Sequence, residues 1–358
     1  MFDFSMPTLV TPLAVLVALA VDRVFGEPPA RWHPVVAIGH YLSFMGRHIA
    51  PVADAASAKR ANATNADNVA NAENAAHFAN ATKAANAEPS AHAAHTANDA
   101  RAFWLGSLAW SLGAAGIVAL TMLLTSATAT WPWWLQALVL GLFLKPLLAW
   151  RMLRDEVRSV EAALGESLAA GRERLSWLVS RDVITLDAAQ VRESAIESLA
   201  ENLNDSVVAP LFWFAIAGLP GAALYRFANT ADAMWGYKGE RNGRDWTWAG
   251  KWAARADDVL SWLPARMTGT LLGVLGATHR LRALPSQARR TPSPNSGWPM
   301  AAMALALDVR LGKPGVYQLH GDGRVAQSAD TAHALRLAGR VVQVLGASAC
   351  AWAVLAWR

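Results

Sequence analysis

Four acids recur at intervals of four residues in the stretch RESAIESLAENLNDSVVAPLFW: Glu193, Glu197, Glu201 and Asp205. Steps of four keep side chains on one side of an α-helix, where like charges repel one another. The row is therefore either a solvated acidic face or a set of carboxylates that offers oxygen ligands to Mg²⁺ and its bound phosphates.

The functional interpretation is favoured because Glu201, Asn202 and Asp205 lie where this helix runs into an apolar segment. Polar groups at membrane depth are energetically costly, and those that occur there usually serve a function. Glu193 lies about three turns, roughly 18 Å, from Asp205, which is too far for both to bind one metal ion.

A second group of polar residues occupies NTADAMWGYKGERNGRDW, residues 229–246. Asn229, Asp232 and Lys238 lie within ten residues of one another, and the nearby glycines let the backbone approach a ligand. An amide, a carboxylate and a lysine suit a metal–phosphate site, in which lysine acts as a point charge. The alternative is an interfacial loop with ordinary charges.

Three further stretches carry weaker signals. ARADDVLSWLPARMTG contains Arg255, Asp257, Asp258 and Arg266 around an apolar turn, where a simple ion pair is the alternative. The other candidates are Asp22, Arg23 and His33 in a proline-rich loop, and Ser293 and Asn295 before a helix predicted to begin near Trp298. Free N–H groups at a helix start bind anions, but N-capping by Ser or Asn explains these residues equally well.

Several common sites are missing from the sequence. It contains no GxxxxGK[ST], GxGxxG, HExxH or GxSxG motif, so a nucleotide would have to bind by another arrangement. The single cysteine, Cys350, excludes a disulfide framework, and its place in the last apolar run favours a packing role.

The elements that carry these residues are predicted to be membrane helices. Hydrophobic residues make up 54% of the 358-residue chain and charged residues only 16%. Residues 103–124, 131–150 and 337–357 are each long and apolar enough to cross a hydrocarbon core of about 30 Å, and Lys145 is expected to snorkel from the second run. Residues 8–21 are marginal and lack the features of a cleaved signal peptide.

The remaining segments give the chain its organisation. We predict an N-terminal membrane segment and loop (1–52), an Ala/Asn-rich insertion (53–100), two spans (101–150), helices with broken apolar segments and the site (151–336), and a last span (337–358). The prolines at 210, 220 and 264 suggest that residues 207–225 and 259–281 do not cross fully. The fold class is therefore all-α and polytopic, with kinked or re-entrant helices.

Local signals refine the polar part of that organisation. Residues 151–179 are predicted to form one helix and residues 188–203 a second, with Asp187 as its N-cap. No strand is predicted. The net charge of +5 favours contact with anionic lipid and a cytoplasmic orientation of basic loops rather than nucleic-acid binding.

Five stretches of the sequence, taken in order, resemble the CobD/CbiB family of cobalamin-biosynthesis membrane proteins. The matching stretches, in order, are DRVFGEPPARWHPVVAIG (22–39), RDVITLDAAQVRESAIESLAENLNDSVVAPLFW (181–213), YRFANTADAMWGYKGE (225–240), ARADDVLSWLPARMTG (254–269) and SPNSGWPMAAMALALDVRLG (293–312). The insertion at 53–100 and Lys313, where the family tends to have glycine, depart from the pattern.

The resemblance implies adenosylcobinamide-phosphate synthase activity: ATP-driven amide formation between a propionate of adenosylcobyric acid and the amine of aminopropanol or its phosphate. Mg²⁺ and ATP are then expected at the site. Catalytic roles are expected for Glu197, Glu201, Asn202, Asp205 and Asp232, of which Glu201, Asp205 and Asp232 would bind the metal. Substrate-binding roles are expected for Asp22, Arg23, His33, Arg181, Asn229, Tyr237, Lys238, Arg255, Asp257, Asp258, Arg266, Ser293 and Asn295.

Because ATP is cytoplasmic, the active site is expected to face the cytoplasm from a bacterial inner membrane. Other cobamide-assembly enzymes of that membrane are conceivable partners. Two alternatives stay open: a non-catalytic scaffold for such a complex, and a membrane alcohol-phosphate transferase, although paired Asp-rich motifs are missing. A transporter is less well supported, since neither repeated halves nor mid-span charges stand out.

Overall fold

The computed structural model describes residues 7–53, 89–179 and 182–358. Their α-helices are α1 (Pro7–Phe25), α2 (Pro34–Ile49), α3 (Pro89–Thr128), α4 (Trp133–Leu144), α5 (Trp150–Glu166), α6 (Leu168–Leu175), α7 (Ala188–Leu203), α8 (Ala209–Trp235), α9 (Lys251–Gly276), α10 (Leu284–Ala288), α11 (Gly297–Leu307) and α12 (Ser328–Trp357). Most of the insertion predicted at 53–100 lies outside the described residues.

Four stretches of helix among the described residues are long and apolar enough to cross a membrane: Asn98–Thr128, Trp133–Glu166, Ala188–Trp235 and Ser328–Trp357. The first, second and fourth contain or overlap the spans predicted from the sequence. The prediction of a polytopic all-α membrane protein is confirmed. Cys350 is exposed on α12, within the last of these stretches, so the packing role predicted for it is not met by contacts inside the protein.

Two small β-hairpins correct the prediction that the chain has no strands. Strand β1 (Glu240–Arg241) pairs with β2 (Arg244–Asp245), and β3 (Leu311–Lys313) pairs with β4 (Tyr317–Leu319), both antiparallel. Strands of two or three residues are too short to show the alternation of apolar and polar residues by which a strand is recognised. Gly315, with φ +71°, turns the second hairpin.

The segment predicted as one helix over 151–179 forms two, α5 and α6. Ser167 separates them with an extended backbone, and its hydroxyl accepts a hydrogen bond from the N–H of Ala170. Serine at an N-cap competes with helix continuation because it satisfies a free N–H at the new helix start. The predicted cap of α7 is confirmed: Asp187 and Gln190 form a reciprocal capping box.

The described chain divides into two compact units. The first comprises residues 1–35, 117–226 and 258–358, and the second residues 36–116 and 227–257. In the first unit α1 packs against α4 and α12, while α7 packs against α5, α11 and α12. Val191, Ile196, Leu199 and Leu203 of α7 are fully buried there, so α7 is a core element rather than a surface helix.

The second unit contains α2, the first part of α3, the end of α8, the first hairpin and the start of α9. Its core includes Trp235, whose ring stacks on Trp246 and whose N–H donates to the Leu42 carbonyl at 3.2 Å. Gly250 lies so close to the Trp235 carbonyl that a Cβ would collide with it. These contacts fix the backbone that carries Asp232 and Lys238.

Candidate active site

A short π-helical turn, Asn204–Val208, joins α7 to α8. Its last bond runs from the Ala209 N–H to the Asn204 carbonyl, five residues back. Pro210 has no N–H to offer the Ser206 carbonyl, and the Ala149 N–H donates to that carbonyl instead, at 3.0 Å. π-turns of this kind are frequent at functional sites. This one includes Asp205, the last of the four acids that recur at intervals of four residues.

Asp205 is held in a polar network inside the first unit. Its Oδ1 accepts hydrogen bonds from Asn204 Nδ2 at 2.8 Å and from the Tyr225 hydroxyl at 3.3 Å. Tyr225 also lies 3.1 Å from Ser261 Oγ, and Thr268 donates to Asn204 Oδ1 at 3.0 Å. The network therefore joins the α7–α8 junction to α9 through buried side chains.

Arg226 brings a positive charge to the same place. Its Nη1 donates to Ser206 Oγ at 3.2 Å and to the Asp205 carbonyl at 3.4 Å, and its charge interacts with those of Asp205 and Glu27. Arginine binds oxyanions through a fixed fork of donors. Neither Tyr225 nor Arg226 was expected at the site from the sequence, although YRFANTADAMWGYKGE begins with them.

A second set of charges joins Lys145, just after α4, to Glu27 of the proline-rich loop and to Asp22, which lies in α1 and not in that loop. Lys145 Nζ lies 3.2 Å from Asp22 Oδ1 and 3.0 Å from Glu27 Oε2, and its side chain is only 4% exposed. The expected snorkelling of Lys145 is therefore wrong: two carboxylates hold it inside the protein. Asp22 also accepts the Arg151 N–H at 2.9 Å, which fixes the start of α5.

His33 completes this set, with Nε2 at 3.2 Å from Glu27 Oε2. Burial tends to raise the pKa of Glu27, but hydrogen bonds from His33 and Lys145 outweigh it and lower the pKa below its usual value. Glu27 is thus held as a carboxylate. Arg23, by contrast, is exposed at the end of α1.

The acids of α7 do not form a solvated face. Glu193 and Glu197 are 7% and 3% exposed, and Glu193 pairs with Arg310 at 3.7 Å. Glu201 and Asn202 are half-buried. Asn202 donates to the Ser198 carbonyl at 2.9 Å, so its amide is already engaged with its own helix.

Arg266 is half-buried and contacts several protein groups. It lies over the rings of Trp262 and Trp298, at 4.1 and 4.9 Å from their centroids, and donates to Asn295 Oδ1 at 3.1 Å. Asn295 in turn donates to the Asp258 carbonyl at 2.8 Å. These contacts fasten the loop before α11 to α9; a substrate-binding role for Arg266, Asn295 and Asp258 stays a prediction.

Ser293 acts locally in that loop. Its hydroxyl accepts hydrogen bonds from the N–H groups of Asn295 and Ser296, both at 3.2 Å. Satisfying free N–H groups before a helix is the role that N-capping residues have, and α11 begins at Gly297, one residue from the predicted start. The structural explanation offered for Ser293 therefore has direct support.

The other candidates belong to the second unit or lie outside the described residues. Asn229, Asp232 and Asp257 are half-buried, whereas Lys238 and Arg255 are exposed. Tyr237 donates to the Ala233 carbonyl at 3.0 Å and lies under the Arg241 guanidinium at 3.7 Å. Arg181 lies outside the described residues.

The predicted metal ligands are divided between the units: Glu201 and Asp205 in the first, Asp232 in the second. In the part of the chain that the structure describes, no three His, Cys, Asp or Glu side chains lie close enough to hold a metal ion by themselves. Mg²⁺ is usually bound through one or two carboxylates together with substrate phosphates and water. Mg²⁺ binding by Glu201 and Asp205 stays a prediction.

Fold and site together define a polytopic helical membrane protein with a polar centre buried where broken helices meet. The model of the family described as CobD/Cbib protein matches residues 73–342. The chain belongs to the CobD/CbiB family, which confirms the resemblance seen in the sequence.

Individual relatives agree with this assignment. The chain is 35% identical over 356 residues to the cobalamin biosynthesis protein CobD of Chromobacterium violaceum, covering 95% of this chain and 96% of that protein. It is 33% identical to the probable CobD of Methanothrix thermoacetophila, with 94% and 95% covered. With the probable CobD of Methanothermobacter thermautotrophicus it shares 47% identity over 191 residues, 52% of this chain and 63% of the relative. No solved structure matches.

Proposed function

We propose that this protein is an adenosylcobinamide-phosphate synthase, which joins a propionate of adenosylcobyric acid to the amine of aminopropanol or its phosphate at the expense of ATP. Family membership supports a role in cobalamin biosynthesis. The observation that carries the finer proposal is the buried centre in which Asn204, Asp205, Tyr225 and Arg226 are held together by hydrogen bonds. Such a centre can position a carboxylate substrate and phosphate groups away from water.

The reaction requires a carboxylate to be activated before an amine can attack it. In our proposal a propionate oxygen attacks the γ-phosphorus of ATP, which gives an acyl phosphate and ADP. The amine then forms the amide bond, the acyl C–O bond breaks, inorganic phosphate leaves, and the nitrogen loses a proton to a nearby base. Mg²⁺, when bound, would neutralise charge on the transferred phosphoryl group.

The side chains of the first unit suit these steps. Glu201 and Asp205 would hold Mg²⁺, and the hydrogen bonds from Asn204 and Tyr225 orient the Asp205 carboxylate. Arg226 would attract the phosphates or the propionate. Asp232, Lys238 and Arg255 belong to the second unit, and the roles expected of them, metal binding for Asp232 and phosphate or propionate binding for the other two, stay predictions. The site is proposed to face the cytoplasm, where ATP is available.

The test is turnover by the purified full-length protein supplied with ATP, Mg²⁺, adenosylcobyric acid and aminopropanol phosphate. Cobinamide phosphate and ADP should form in equal amounts. Glu201→Ala and Asp232→Ala should abolish product while leaving the protein folded in detergent. Asp322→Ala, at an exposed acid outside the candidate residues, is the matched control and should turn over normally.

Two results would contradict the proposal in different ways. Full turnover by both Glu201→Ala and Asp232→Ala would refute the assignment of the site. No product from the wild-type protein would favour the non-catalytic scaffold, and product formed without ADP would exclude ATP as the driving co-substrate. Replacing aminopropanol phosphate with aminopropanol identifies the amine donor.

A further inference from the structure

A large cavity lies within the first unit, apart from the Asp205 centre. It is bounded by α1, α5 and α12 and has a volume of about 860 Å³, within the range of cavities that bind small molecules. Six arginines line it: Arg23, Arg151, Arg154, Arg158, Arg336 and Arg340. Of these, only Arg23 was singled out in the sequence.

The acids near these arginines are too few to balance them. Glu161 is the single acid in the lining, and it is already bonded to Arg192 at 3.0 Å and to the Thr331 hydroxyl at 2.7 Å. Asp155 is shared by the guanidinium groups of Arg151, Arg154 and Arg158, at 3.6, 2.9 and 3.5 Å. The cavity therefore has a strong excess of positive charge, which favours an anionic ligand.

The lining changes character along its length. Thr331 bonds to Glu161 at one end, and Gly339 faces Trp150 in the middle. At the other end Gly346 faces Leu19, whose Cδ1 would lie 3.8 Å from a Cβ added to the glycine. The arginines of α5 and α12 belong to the first two of these levels, whereas Leu16, Leu19, Val342 and Gly346 line the last. One end of the cavity is thus basic and the other apolar.

The sequence places this change of character at a membrane boundary. Arg336 directly precedes the apolar run 337–357, and Arg340 lies near its start, on a helix that is a candidate span. Trp150, in the same lining, is of the type that collects at membrane interfaces. Basic pockets between membrane helices on the cytoplasmic side bind anionic lipid headgroups.

We propose that this cavity is a binding site for an anionic phospholipid. Its phosphate lies among the arginines, and its acyl chains run along the apolar faces of α1 and α12. A magnesium nucleotide fits the cavity less well, because the one lining acid is engaged and the arginines repel the metal. A soluble phosphate, in turn, leaves the apolar end without an occupant.

The experiment uses the full-length protein, purified in mild detergent and stripped of lipid. Dioleoyl phosphatidylglycerol is added, with dioleoyl phosphatidylcholine, inorganic phosphate and ATP–Mg²⁺ as separate arms. Bound lipid is counted by native mass spectrometry, and the thermal midpoint is measured in each arm. We expect phosphatidylglycerol to be retained and to raise the midpoint, and phosphatidylcholine and inorganic phosphate to have little effect. ATP–Mg²⁺ binding at the proposed active site would raise the midpoint by an amount that does not depend on the cavity arginines.

Variants assign the effect to the cavity. The double variant Arg336→Gln/Arg340→Gln should weaken phosphatidylglycerol binding roughly 25-fold, about fivefold for each charge near the membrane surface. The matched control Arg282→Gln/Arg289→Gln removes two exposed arginines outside the cavity and should bind normally. Gly346→Leu, which fills the apolar end, should also reduce retention of phosphatidylglycerol. If the arginine double variant does not fold, this variant tests whether the lipid binds in the cavity.

Three outcomes would overturn the proposal. The first is equal retention of phosphatidylglycerol and phosphatidylcholine, and the second is equal loss of binding in the control pair. The third is protection by inorganic phosphate or ATP–Mg²⁺, but not by the lipid, that depends on Arg336 and Arg340. That last result would make the cavity a phosphate or nucleotide site.

Discussion

Lys145 shows how much one side chain can fix in this protein. It lies between the carboxylates of Asp22 and Glu27, all three largely shielded from solvent. Removing the cation would leave two acids buried without their main partner. We expect Lys145→Met, which keeps most of the side-chain volume, to lower the free energy of unfolding by about 3–5 kcal/mol.

That prediction has an internal control. Asp22→Asn combined with Lys145→Met should be less destabilising than Lys145→Met alone, because one of the two unbalanced charges is gone. Lys313→Met, at an exposed position of β3, should change the free energy of unfolding by less than about 0.5 kcal/mol. Chemical unfolding in mixed micelles gives all three values. A Lys145→Met protein as stable as the wild type would show that the ion pairs contribute nothing.

Tyr225 allows the Asp205 centre to be tested without changing a charge. Tyr225→Phe removes the hydroxyl that donates to Asp205 and contacts Ser261, and buried polar groups that lose a partner destabilise by about 1–3 kcal/mol. In the proposed reaction the loosened Asp205 should also lower kcat more than it raises KM. Tyr41→Phe, which loses a hydrogen bond to the Ala109 carbonyl, should lower stability but leave kcat unchanged; a similar fall in kcat there would contradict this assignment.

The sequence predicted some of these residues and not others, for a physical reason. Glu201, Asn202 and Asp205 were identifiable because polar residues at helical spacing contrast with the apolar run that follows. Lys145, Tyr225 and Arg226 were not, since each lies within or beside a hydrophobic stretch. Lys145 and Asp22 are more than one hundred residues apart in the sequence, and no local pattern reports such a contact.

At the scale of elements, α8 depends on a single glycine. The helix changes direction at Ala217 and at Gly218, whose φ of +62° and ψ of −157° are accessible almost only to glycine. Gly218→Ala should therefore lower the free energy of unfolding by about 1–3 kcal/mol. Gly116→Ala is the matched control, because a Cβ there meets no atom within 4 Å. Equal effects at the two positions would argue against a requirement for this backbone conformation.

A second element is held by a carboxylate at the end of α11. Asp308 accepts hydrogen bonds from Arg280 at 2.6 Å and from His320 at 2.8 Å, which lower its pKa to about 2 from 3.8. A lowered pKa means that the folded state favours the carboxylate. Its contribution to stability is complete above about pH 4 and is lost as the pH falls to about 2.

Asp308→Asn tests this contribution without disturbing the backbone, since asparagine tolerates the left-handed conformation of residue 308, φ +56°. The thermal midpoint of the wild type should fall relative to that of the variant between about pH 4 and pH 2. Parallel curves over that interval would contradict the assignment.

The helices whose starts were predicted well are those preceded by an N-capping residue or by turn-forming residues. Asp187 fixed the beginning of α7, and the turn residues before Gly297 fixed that of α11. The division of residues 151–179 at Ser167 was missed because the apolar period continues on both sides of it. The two hairpins were missed because their strands have too few residues to carry a period.

For the whole molecule, the proposed function predicts which polar segments share one side of the membrane. The proposed use of ATP requires the segments around residues 190 and 240 to face the cytoplasm together. Gln190→Cys and Glu240→Cys, introduced singly after Cys350→Ser, should react with a membrane-impermeant maleimide only when the cytoplasmic side is accessible. Labelling of the two positions from opposite sides would refute this topology.

The hydrogen bond from the Ala149 N–H to the Ser206 carbonyl has a consequence for how the protein tolerates mutation. It joins backbone atoms across the gap that Pro210 leaves in the α7–α8 connection, so no side-chain truncation at either residue removes it. An alanine scan would pass over this link, because neither side chain takes part in it. Only proline at position 149 removes the N–H donor. This hydrogen bond therefore excludes one residue type at position 149 without requiring any particular side chain there.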